Sequence, residues 1–291
     1  VKLRQGKVRA IRANTYEVIL DGQVYRCRFS GKAKREKRRT TKKPAAVGDD
    51  VEFDPQADRE GIIHKVLPRR NCLSRPDPYT RTIEQVIVAN VDALLVVYSI
   101  QKPALELLAV DKCLVMGVSH DIPSGVVITK TDLASPPDLS FYKDLGPFFV
   151  TSSASGEGLD ELKAFLENKT TVFLGPSGVG KSSLLNALDP SLKLKVGEVS
   201  EKTGEGRHTT TWVEILDVGS ARIVDTPGLE FFDFWNLTLD QLPDCFPEFE
   251  GIACKFRDCR HDREPDCAVR SAVEAGRLTR SRYESYLAIR H

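Results

Sequence analysis

The sequence has no long hydrophobic run. Its longest mainly apolar stretch, from Ala93 to Ile100, is far shorter than the roughly 18 residues that a membrane-spanning helix requires. An apolar block of the kind that forms a secretion signal is also missing from the first residues. These absences argue against a membrane-embedded or secreted protein and predict a cytoplasmic one.

The composition lacks the extremes that mark disordered or fibrous chains. Hydrophobic residues make up 41% of the chain and charged residues 29%, which is close to the average for folded soluble proteins. The formal net charge is only +1. At about 150 residues per domain, a chain of 291 residues is long enough for two or three domains with separate hydrophobic cores.

The seven cysteines are not expected to form a disulfide framework. In a cytoplasmic chain they are expected to be metal ligands or reduced core residues. We expect Cys27, Cys72 and Cys113 to be ordinary small apolar residues. Three others cluster between residues 254 and 267, and Cys245 is a spare thiol nearby.

The small net charge hides a strong asymmetry along the chain. Residues 1–75 contain 20 Lys and Arg against 9 Asp and Glu, a balance of +11, while the rest of the chain carries −10. A polyanion is the natural partner for the basic part. Eight of its cations lie between residues 32 and 43, in a run that is either a solvated loop or a loop that wraps RNA phosphates.

Short alternating runs near the N-terminus predict a small β-barrel. The predicted strands include residues 15–20, 24–29, 51–53 and 62–66. Asp21-Gly22 between the first two is typical of a hairpin turn. About five short strands within about 70 residues favour an OB (oligonucleotide-binding) fold, which we assign to residues 1–75 as an RNA-binding domain.

From Ile83 onwards the pattern changes to buried strands that alternate with helices. The predicted strands are residues 93–98, 125–128, 148–150, 171–174 and 221–224, with a helix near 105–117. This alternation is typical of a parallel α/β sheet, which we assign to residues 76–229. Residues 230–291 hold an aromatic stretch, a Cys/His cluster and a final helix, and form a third, mainly α domain.

A complete P-loop follows the strand at residues 171–174. Its residues are Gly175, Pro176, Ser177, Gly178, Val179, Gly180, Lys181 and Ser182, and Ser183 comes next in the predicted helix. Glycines let backbone N–H groups close around phosphate oxygens. Lys181 adds positive charge near the phosphates, and Ser182 offers its hydroxyl to Mg²⁺. The strand before the motif and the helix after it are the context that a nucleotide site requires.

Two further segments are typical of the phosphate side of such a site. The residues from Asp225 to Gly228 follow the last predicted strand. Asp225 would hold Mg²⁺ through water, and the Gly228 N–H would contact the γ-phosphate. The threonines 209–211 are typical of a mobile segment that brings one threonine, here Thr210, to Mg²⁺. A polar loop that leads into a strand is the alternative reading of that segment.

The segment after residues 125–128 indicates a guanine nucleotide. It consists of Thr129, Lys130, Thr131 and Asp132 and resembles the Asn-Lys-x-Asp motif of G proteins. Asp132 would accept hydrogen bonds from the ring N–H and the exocyclic amine of guanine, a donor pair that adenine lacks. Lys130 would cover the base. Thr129 replaces the usual Asn, so we expect a weaker tether between the loops of the site. Ser153 and Ala154 are the candidates for the last G-protein motif, where a backbone N–H meets the guanine carbonyl.

The order of these motifs is the reverse of that in ordinary G proteins. The base-reading segments precede the P-loop, the threonine segment and Asp-x-x-Gly, which indicates a circular permutation. A predicted helix from Leu159 to Asn168 would join the original ends of the domain. A permuted G domain between a basic barrel and a Cys/His cluster resembles the ribosome small-subunit-dependent GTPase A family of bacteria. The resemblance spans essentially the whole chain.

The resemblance implies a multidomain fold with an OB barrel, a P-loop GTPase of permuted motif order and a zinc-binding C-terminal domain. It also implies binding to the small ribosomal subunit and its rRNA, and a role in late maturation of that subunit. GTP would be hydrolysed to GDP and phosphate, with turnover stimulated by the subunit.

The residue that activates water is less directly indicated. Leu229 stands where Ras-type proteins have a glutamine, so no side-chain help comes from that position. The resemblance implies that His208 positions or activates the attacking water, with Lys181 and Thr210 as the other catalytic candidates. Arg207 acting as a finger in cis, or ordering of this loop by the ribosome, is the alternative.

The Cys/His cluster predicts a metal site. Its candidate ligands are Cys254, Cys259, His261 and Cys267. Three thiolates and one imidazole suit a tetrahedral Zn²⁺ ion, and a complete set of four protein ligands favours a structural site. A tail of roughly 60 residues has a small core, so metal binding would supply much of its folding free energy.

Two other functions fit parts of the sequence. One is an RNA-binding adaptor whose nucleotide gates affinity while hydrolysis is incidental. The other is an RNA-dependent ATPase, which Asp132 disfavours. The expected partners are GTP or GDP with Mg²⁺ and the small ribosomal subunit, with no membrane contact, and the chain is expected to be monomeric.

Overall fold

A computed structural model describes residues 3–31, 43–77, 80–195, 213–225, 234–235 and 237–291. The candidates His208, Thr210 and Gly228 lie outside these residues, as does most of the basic run 32–43. Across the described ranges, every helix is too short or too polar to cross a bilayer. The chain forms a barrel, an α/β sheet and a smaller helical unit, each with its own hydrophobic core.

Five strands at the N-terminal end close into the barrel. They are β1 (Arg4–Arg12), β2 (Thr15–Leu20), β3 (Gln23–Phe29), β4 (Asp50–Pro55) and β5 (Glu60–Val66). Their spatial order is β1–β2–β3–β5–β4, and β4 pairs back onto β1. The β3–β5 pair is parallel and the others are antiparallel. A closed five-stranded barrel of this kind confirms the predicted OB-like fold.

Alternation along the strands produces the barrel core. Val18, Cys27 and Ile63 point inwards and are fully buried, while their chain neighbours on either side are more exposed. The predicted turn between β2 and β3 is present, since Asp21 and Gly22 both have positive φ angles, 49° and 75°. Positive φ at both central residues is the geometry of a tight hairpin turn.

A second hairpin, which the sequence did not reveal, follows the barrel. It consists of β6 (Cys72–Pro76) and β7 (Glu84–Ala89), paired antiparallel. His120 fastens it to the α/β unit, because its Nε2 accepts the backbone N–H of Ser74 at 3.3 Å while its Nδ1 lies 2.9 Å from the carbonyl oxygen of Met116. The boundary expected between residues 75 and 76 lies within β6.

The α/β unit is a mainly parallel sheet covered by helices. Its strands are β8 (Ala93–Ser99), β9 (Ser124–Thr129), β10 (Phe148–Val150), β11 (Thr170–Leu174), β12 (Glu214–Val218) and β13 (Ala221–Asp225). Their spatial order is β10–β9–β8–β11–β13–β12, and only the β12–β13 pair is antiparallel. All strands but β12 were predicted. The helices packed on the sheet are α1 (Leu107–Ser119), α2 (Leu159–Leu166) and α3 (Lys181–Leu188).

The barrel and the α/β sheet share one continuous set of strands. Ala10 of β1 pairs with Glu214 of β12, which makes a single sheet of 11 strands. Arg12 binds the Glu214 carboxylate at 3.0 Å, and Arg9 binds Asp217 at 3.3 Å. Strand β1, the first strand of the barrel, therefore also pairs with the outer edge of β12.

The C-terminal unit is small and aromatic. Its helices are α4 (Ala268–Glu274) and α5 (Arg280–Arg290), preceded by two short 3-10 turns, Leu242–Cys245 and Pro247–Phe249. The rings of Phe246, Phe249 and Tyr286 pack against one another with centroids 5.2 to 5.3 Å apart. This cluster forms the centre of the unit's hydrophobic core.

A buried ionic network fixes the C-terminal unit to helix α1. Arg282 of α5 is 3% exposed, and its Nη1 donates to Oδ1 of Asp111 in α1 at 2.6 Å. Its Nε donates to Glu248 at 2.7 Å, and its guanidinium lies 4.6 Å from the centroid of the Phe246 ring. Tyr142 donates a further hydrogen bond to Asp111 at 2.8 Å. Since the network joins residues from both units, it holds the C-terminal unit in one position on the sheet's helical layer.

Candidate nucleotide and metal sites

The P-loop connects β11 to α3 at the carboxyl edge of the sheet. Gly175 leaves β11 so close to β8 that a Cβ atom there would lie 2.0 Å from the carbonyl oxygen of Val97. Gly178 and Gly180 have φ angles of 81° and 98°, a region that residues with side chains rarely adopt. The glycines of the motif are thus required by the close packing and the backbone turn that form the phosphate cradle.

The cation of the P-loop already points into the loop. The amine of Lys181 donates to the carbonyl oxygens of Gly175 at 2.6 Å and Pro176 at 3.0 Å. Lys181 begins α3, so Ser182 and Ser183 occupy the first turn of a helix whose N-terminal N–H groups face the loop. This arrangement presents backbone N–H groups, one ammonium group and hydroxyls to a polyphosphate.

The parallel strands bring the other candidates to the same edge. Asp225 ends β13, which lies next to β11, and is in register with Phe173, two residues before the P-loop. Thr129 ends β9, one strand beyond β8 on the other side. Parallel strands place their carboxyl ends together, so residues distant in sequence line one crevice, as in other open α/β sheets.

The side chain of Thr129 links the base-reading segment to the P-loop. This is the link that we expected to be weaker because Thr stands in place of the usual Asn. Its side chain is buried, and its hydroxyl lies 2.5 Å from the carbonyl oxygen of Val179 in the P-loop and 3.3 Å from that of Tyr98. A hydroxyl has a single proton to donate, and the shorter contact assigns it to Val179. The Thr129 side chain therefore links the base-reading strand to the P-loop through one hydrogen bond.

Lys130 forms a second link across the crevice. Its amine donates to the carbonyl oxygen of Gly178 at 2.6 Å and also to that of Lys102. Partial burial and the nearby charge of Lys102 lower the pKa of Lys130. The stem of Lys130 is thereby stretched along the wall of the site, where it can cover one face of a planar base.

The candidate guanine-reading carboxylate is held by a residue that the sequence analysis missed. Ser152 is fully buried, and its hydroxyl donates to Oδ1 of Asp132 at 2.6 Å. The Ser152 hydroxyl oxygen in turn accepts the backbone N–H groups of Ala154 at 3.2 Å and Ser155 at 3.1 Å. Ser152 therefore joins the Asp132 segment to the following loop and fixes the direction of the carboxylate. Its position two residues after the end of the predicted strand β10 was the available signal.

The remaining members of these loops support that arrangement. Ser153 and Ala154 lie in the turn after β10, beside Ser152. Thr131 points its hydroxyl at Glu157, with 3.2 Å between the oxygens, and its backbone N–H at the Thr151 carbonyl oxygen. The structure thus brings the base-reading segments and the P-loop together, whereas His208, Thr210 and Gly228 fall outside the described residues.

The four predicted metal ligands converge at one point. The ligand atoms of Cys254, Cys259, His261 and Cys267 all lie within 4.8 Å of one another. The Cys254 and Cys267 sulfurs are 3.9 Å apart, and they lie 3.5 and 3.6 Å from Nδ1 of His261. A tetrahedral ion with Zn–S bonds of about 2.3 Å and a Zn–N bond of about 2.0 Å needs edges of about 3.8 and 3.5 Å. The distances among Cys254, His261 and Cys267 fit such an ion, and the Cys259 sulfur lies within 4.8 Å of each of them as the fourth candidate ligand.

Two backbone N–H groups and one tyrosine hydroxyl stabilise the cluster of candidate metal ligands. The backbone N–H of Ala268 donates to the Cys254 sulfur at 3.3 Å, and that of Arg270 donates to the Cys267 sulfur at 3.5 Å. These donors stabilise negative charge on sulfur, as metal thiolates require. The hydroxyl of Tyr283 donates to the His261 carbonyl oxygen at 2.7 Å, which ties the ligand loop to helix α5.

Comparisons with known proteins agree with this geometry over nearly the whole chain. The family model of the RsgA GTPase matches residues 66–235, and that of the RsgA N-terminal domain matches residues 5–63. The small ribosomal subunit biogenesis GTPase RsgA of Moorella thermoacetica is 39% identical over 281 residues, 94% of this chain and 91% of that protein. The protein of the same name from Shouchella clausii is 38% identical over 286 residues, 95% of this chain and 92% of that one.

Solved structures show the same likeness. YjeQ from Thermotoga maritima matches with a TM-score of 0.78 and 33% identity, over 99% of this chain and 97% of that one. YloQ, described as a circularly permuted GTPase, matches with a TM-score of 0.73 and 31% identity, over 99% and 94%. The fold and the order of the site segments define a circularly permuted P-loop GTPase. The chain belongs to the RsgA GTPase family.

Proposed function

We propose that this protein hydrolyses GTP to GDP and phosphate on the small ribosomal subunit and assists the late maturation of that subunit. The observation that carries the proposal is the meeting of the Asp132 segment with the P-loop through Thr129 and Val179. That contact places a candidate guanine reader beside a phosphate cradle. The relatives named above as small ribosomal subunit biogenesis GTPases support the choice of partner.

Different residues of the site would bind the guanine base, the phosphates and the metal ion. Asp132, held by Ser152, accepts the guanine N–H groups, and the P-loop N–H groups with Lys181 bind the phosphates. Ser182 and Asp225 are the residues that would hold Mg²⁺, which neutralises charge on the phosphate oxygens when bound. Positioning of the attacking water by His208 and the contribution of Thr210 stay predictions from the sequence.

The test is GTP turnover with and without purified small ribosomal subunits. We expect slow turnover by the protein alone and a clear increase when subunits are added, with GDP but not ADP competing for the site. Binding to subunits without any increase in turnover would favour the RNA-binding adaptor. Competition by ADP as strong as that by GDP would contradict the guanine-reading role of Asp132.

We propose that the ion of the Cys/His cluster is one structural Zn²⁺ per chain. Three sulfur ligands and one imidazole nitrogen in tetrahedral spacing suit zinc better than harder cations such as Mg²⁺, which prefer oxygen. Elemental analysis of the purified chain should find about one zinc per chain. A value far below one, in protein purified without chelators, would contradict the proposal.

The remaining assignments complete the proposed arrangement. We place the RNA-binding barrel in residues 1–75, the GTPase domain in 76–229 and the zinc domain in 230–291. We propose a cytoplasmic location, where small subunits mature, and a monomeric state, which size-exclusion chromatography with light scattering would test.

A further inference from the structure

A cavity of about 440 Å³ lies beside the candidate metal ligands of the C-terminal unit. Its volume is within the range of about 300 to 1,000 Å³ that is usual for small-molecule sites. Residues 239–244 form one wall, residues 257–261 form a second, and Arg290 at the end of α5 contributes to a third. We call this space the C-terminal cavity. Two of the candidate ligands, Cys259 and His261, line it.

The charged residues of the cavity balance one another. Its walls carry three arginines, Arg257, Arg260 and Arg290, and three aspartates, Asp240, Asp244 and Asp258. Arg290 donates to the carbonyl oxygen of Leu239 at 3.0 Å, and Arg260 approaches Asp240 only to 4.0 Å. Across the residues that the structure describes, the side chains of Arg257, Asp244 and Asp258 make neither an ion pair nor a hydrogen bond. Both signs of charge are therefore available to a ligand.

This pattern of charge selects a class of ligand. The three carboxylates would repel a polyanion such as RNA. A zwitterion, in contrast, can place its carboxylates on the guanidinium groups and its ammonium group on an aspartate. Paired hydrogen bonds between arginine and carboxylate would also fix the orientation of the ligand. Because Cys259 lines the cavity, a zwitterion that contains sulfur would lie beside a cysteine.

Cys259 has the chemistry to react with such a ligand. A thiol that coordinates a metal ion is deprotonated, and the thiolate is the reactive form of cysteine. Cys267 is only 1% exposed, and of the three candidate sulfur ligands Cys259 is the one that lines the cavity. Attack on a ligand in the cavity is therefore expected from Cys259 first.

We propose that the C-terminal cavity binds a zwitterionic low-molecular-weight thiol in its disulfide form, and that Cys259 is the site of its covalent attachment. The inference rests on the structural Zn²⁺ proposed above and is independent of the ribosomal role. The Cys259 thiolate attacks one sulfur of the disulfide, whose S–S bond breaks as a new S–S bond forms. The other half leaves as a thiolate with the electron pair of the broken bond. Cys259 is oxidised and the departing half is reduced, so no other oxidant is needed.

The attachment removes one ligand from the metal site. The Cys254 sulfur lies within 4.8 Å of the Cys259 sulfur, so it can attack the mixed disulfide, expel the second thiolate and form an internal disulfide. Metal binding supplies folding free energy in small domains. The ligand loop is also bound to α5, because Tyr283 donates to the His261 carbonyl oxygen. Loss of the ion would therefore loosen the C-terminal unit.

The test compares two disulfides on the full chain, whose zinc content is measured beforehand. Oxidised glutathione is the zwitterionic probe, and hydroxyethyl disulfide is the uncharged one. Each rate is divided by the rate of the same disulfide with free cysteine, which corrects for intrinsic reactivity. Intact mass and a digest without reductant locate the modified cysteine, and a colorimetric chelator measures released zinc.

We expect Cys259 to be modified first, as a mixed disulfide or as a disulfide with Cys254, and zinc to be released in step. The corrected rate should be about tenfold higher for glutathione, which corresponds to about 1.4 kcal/mol of binding in the cavity.

Two double variants show whether the cavity is the source of this preference. Arg257→Gln with Arg260→Gln removes two of its guanidinium groups, whereas Arg263→Gln with Arg277→Gln removes two exposed ones of the same unit that do not line it. The first variant should react with both disulfides at nearly equal corrected rates, and its rate with the uncharged disulfide should match that of the parent. The control should keep the parental preference, and both should retain basal GTP turnover.

Other outcomes contradict the inference. Equal corrected rates in the parent, no reaction with either disulfide, or first modification at the half-buried Cys72 with Cys259 intact would each overturn it. A parental preference in the Arg257 and Arg260 variant would show that the cavity does not bind the zwitterion. A purified chain that lacks zinc but is modified at Cys259 would refute the proposed metal while leaving the attachment site intact.

Discussion

Replacement of Lys181 by alanine should reduce GTP turnover by about 10²–10³-fold, the usual effect of removing one preorganised group that stabilises transition-state charge. The amine bridges the carbonyl oxygens of Gly175 and Pro176, and its charge opposes the negative charge that develops on the transferred phosphoryl group. The chain should stay folded, because Lys181 is the first residue of α3, at the sheet edge and outside the buried core.

The measurement is phosphate release at saturating GTP, together with the melting temperature. Lys163→Ala is the matched control, since Lys163 is an exposed lysine in α2 of the same domain. The control should retain parental turnover. Parental turnover in the Lys181 variant would show that this P-loop is not the site of hydrolysis, and a large fall in its melting temperature would mean that lost folding explains lost activity.

Replacement of Arg282 by methionine should destabilise the protein by about 3–5 kcal/mol, the cost of removing one partner from a buried ion pair. Burial raises the pKa of Asp111 and favours its neutral form, whereas the charge of Arg282 opposes this effect. Burial also opposes the charge on Arg282, yet hydrogen bonds to Glu248 and the charge of Asp111 raise the pKa of this guanidinium. The variant would leave Asp111 buried without its cation.

Urea unfolding followed by circular dichroism measures the effect. Arg280→Met is the control, because Arg280 is exposed at the start of the same helix and should tolerate the change. Adding Asp111→Leu to the Arg282 variant should recover part of the lost stability, since a buried pair is often replaced by apolar residues at little cost. Equal unfolding of the Arg282 and Arg280 variants would show that the network contributes nothing.

The parts of the fold that the sequence predicts are those with strong local patterns. The seven residues of β8 are all buried, and the first six of them, 93–98, appear in the sequence as an apolar run. The turn at Asp21-Gly22 and the P-loop glycines are required by backbone geometry, so residue types alone reveal them. The four metal ligands lie within 14 residues, 254–267, and their convergence follows from short spacing.

The parts that escape prediction depend on contacts between distant segments. Asp111 and Arg282 are 171 residues apart, and nothing near either residue indicates its partner. β12 is short and carries a charged residue on each of its two faces, Glu214 and Asp217. Its sequence therefore resembles that of a loop, and its strand structure depends on pairing with β1 and β13. The role of Ser152 was missed because Thr151, Ser153 and Ser155 lie within three residues of it, and only the hydrogen bond to Asp132 distinguishes it.

The pairing of β1 with β12 also bears on how the chain avoids joining other molecules. An unpaired outer strand offers a row of free N–H and C=O groups, which is a template for a strand from another chain and a route to aggregation. In this protein the template on β12 is occupied at Ala10 and flanked by arginines whose charges are already satisfied. Without the barrel, this edge of β12 would lose the pairing at Ala10 and offer its free backbone groups to other chains, so we expect a chain without residues 1–66 to aggregate more readily than the full chain.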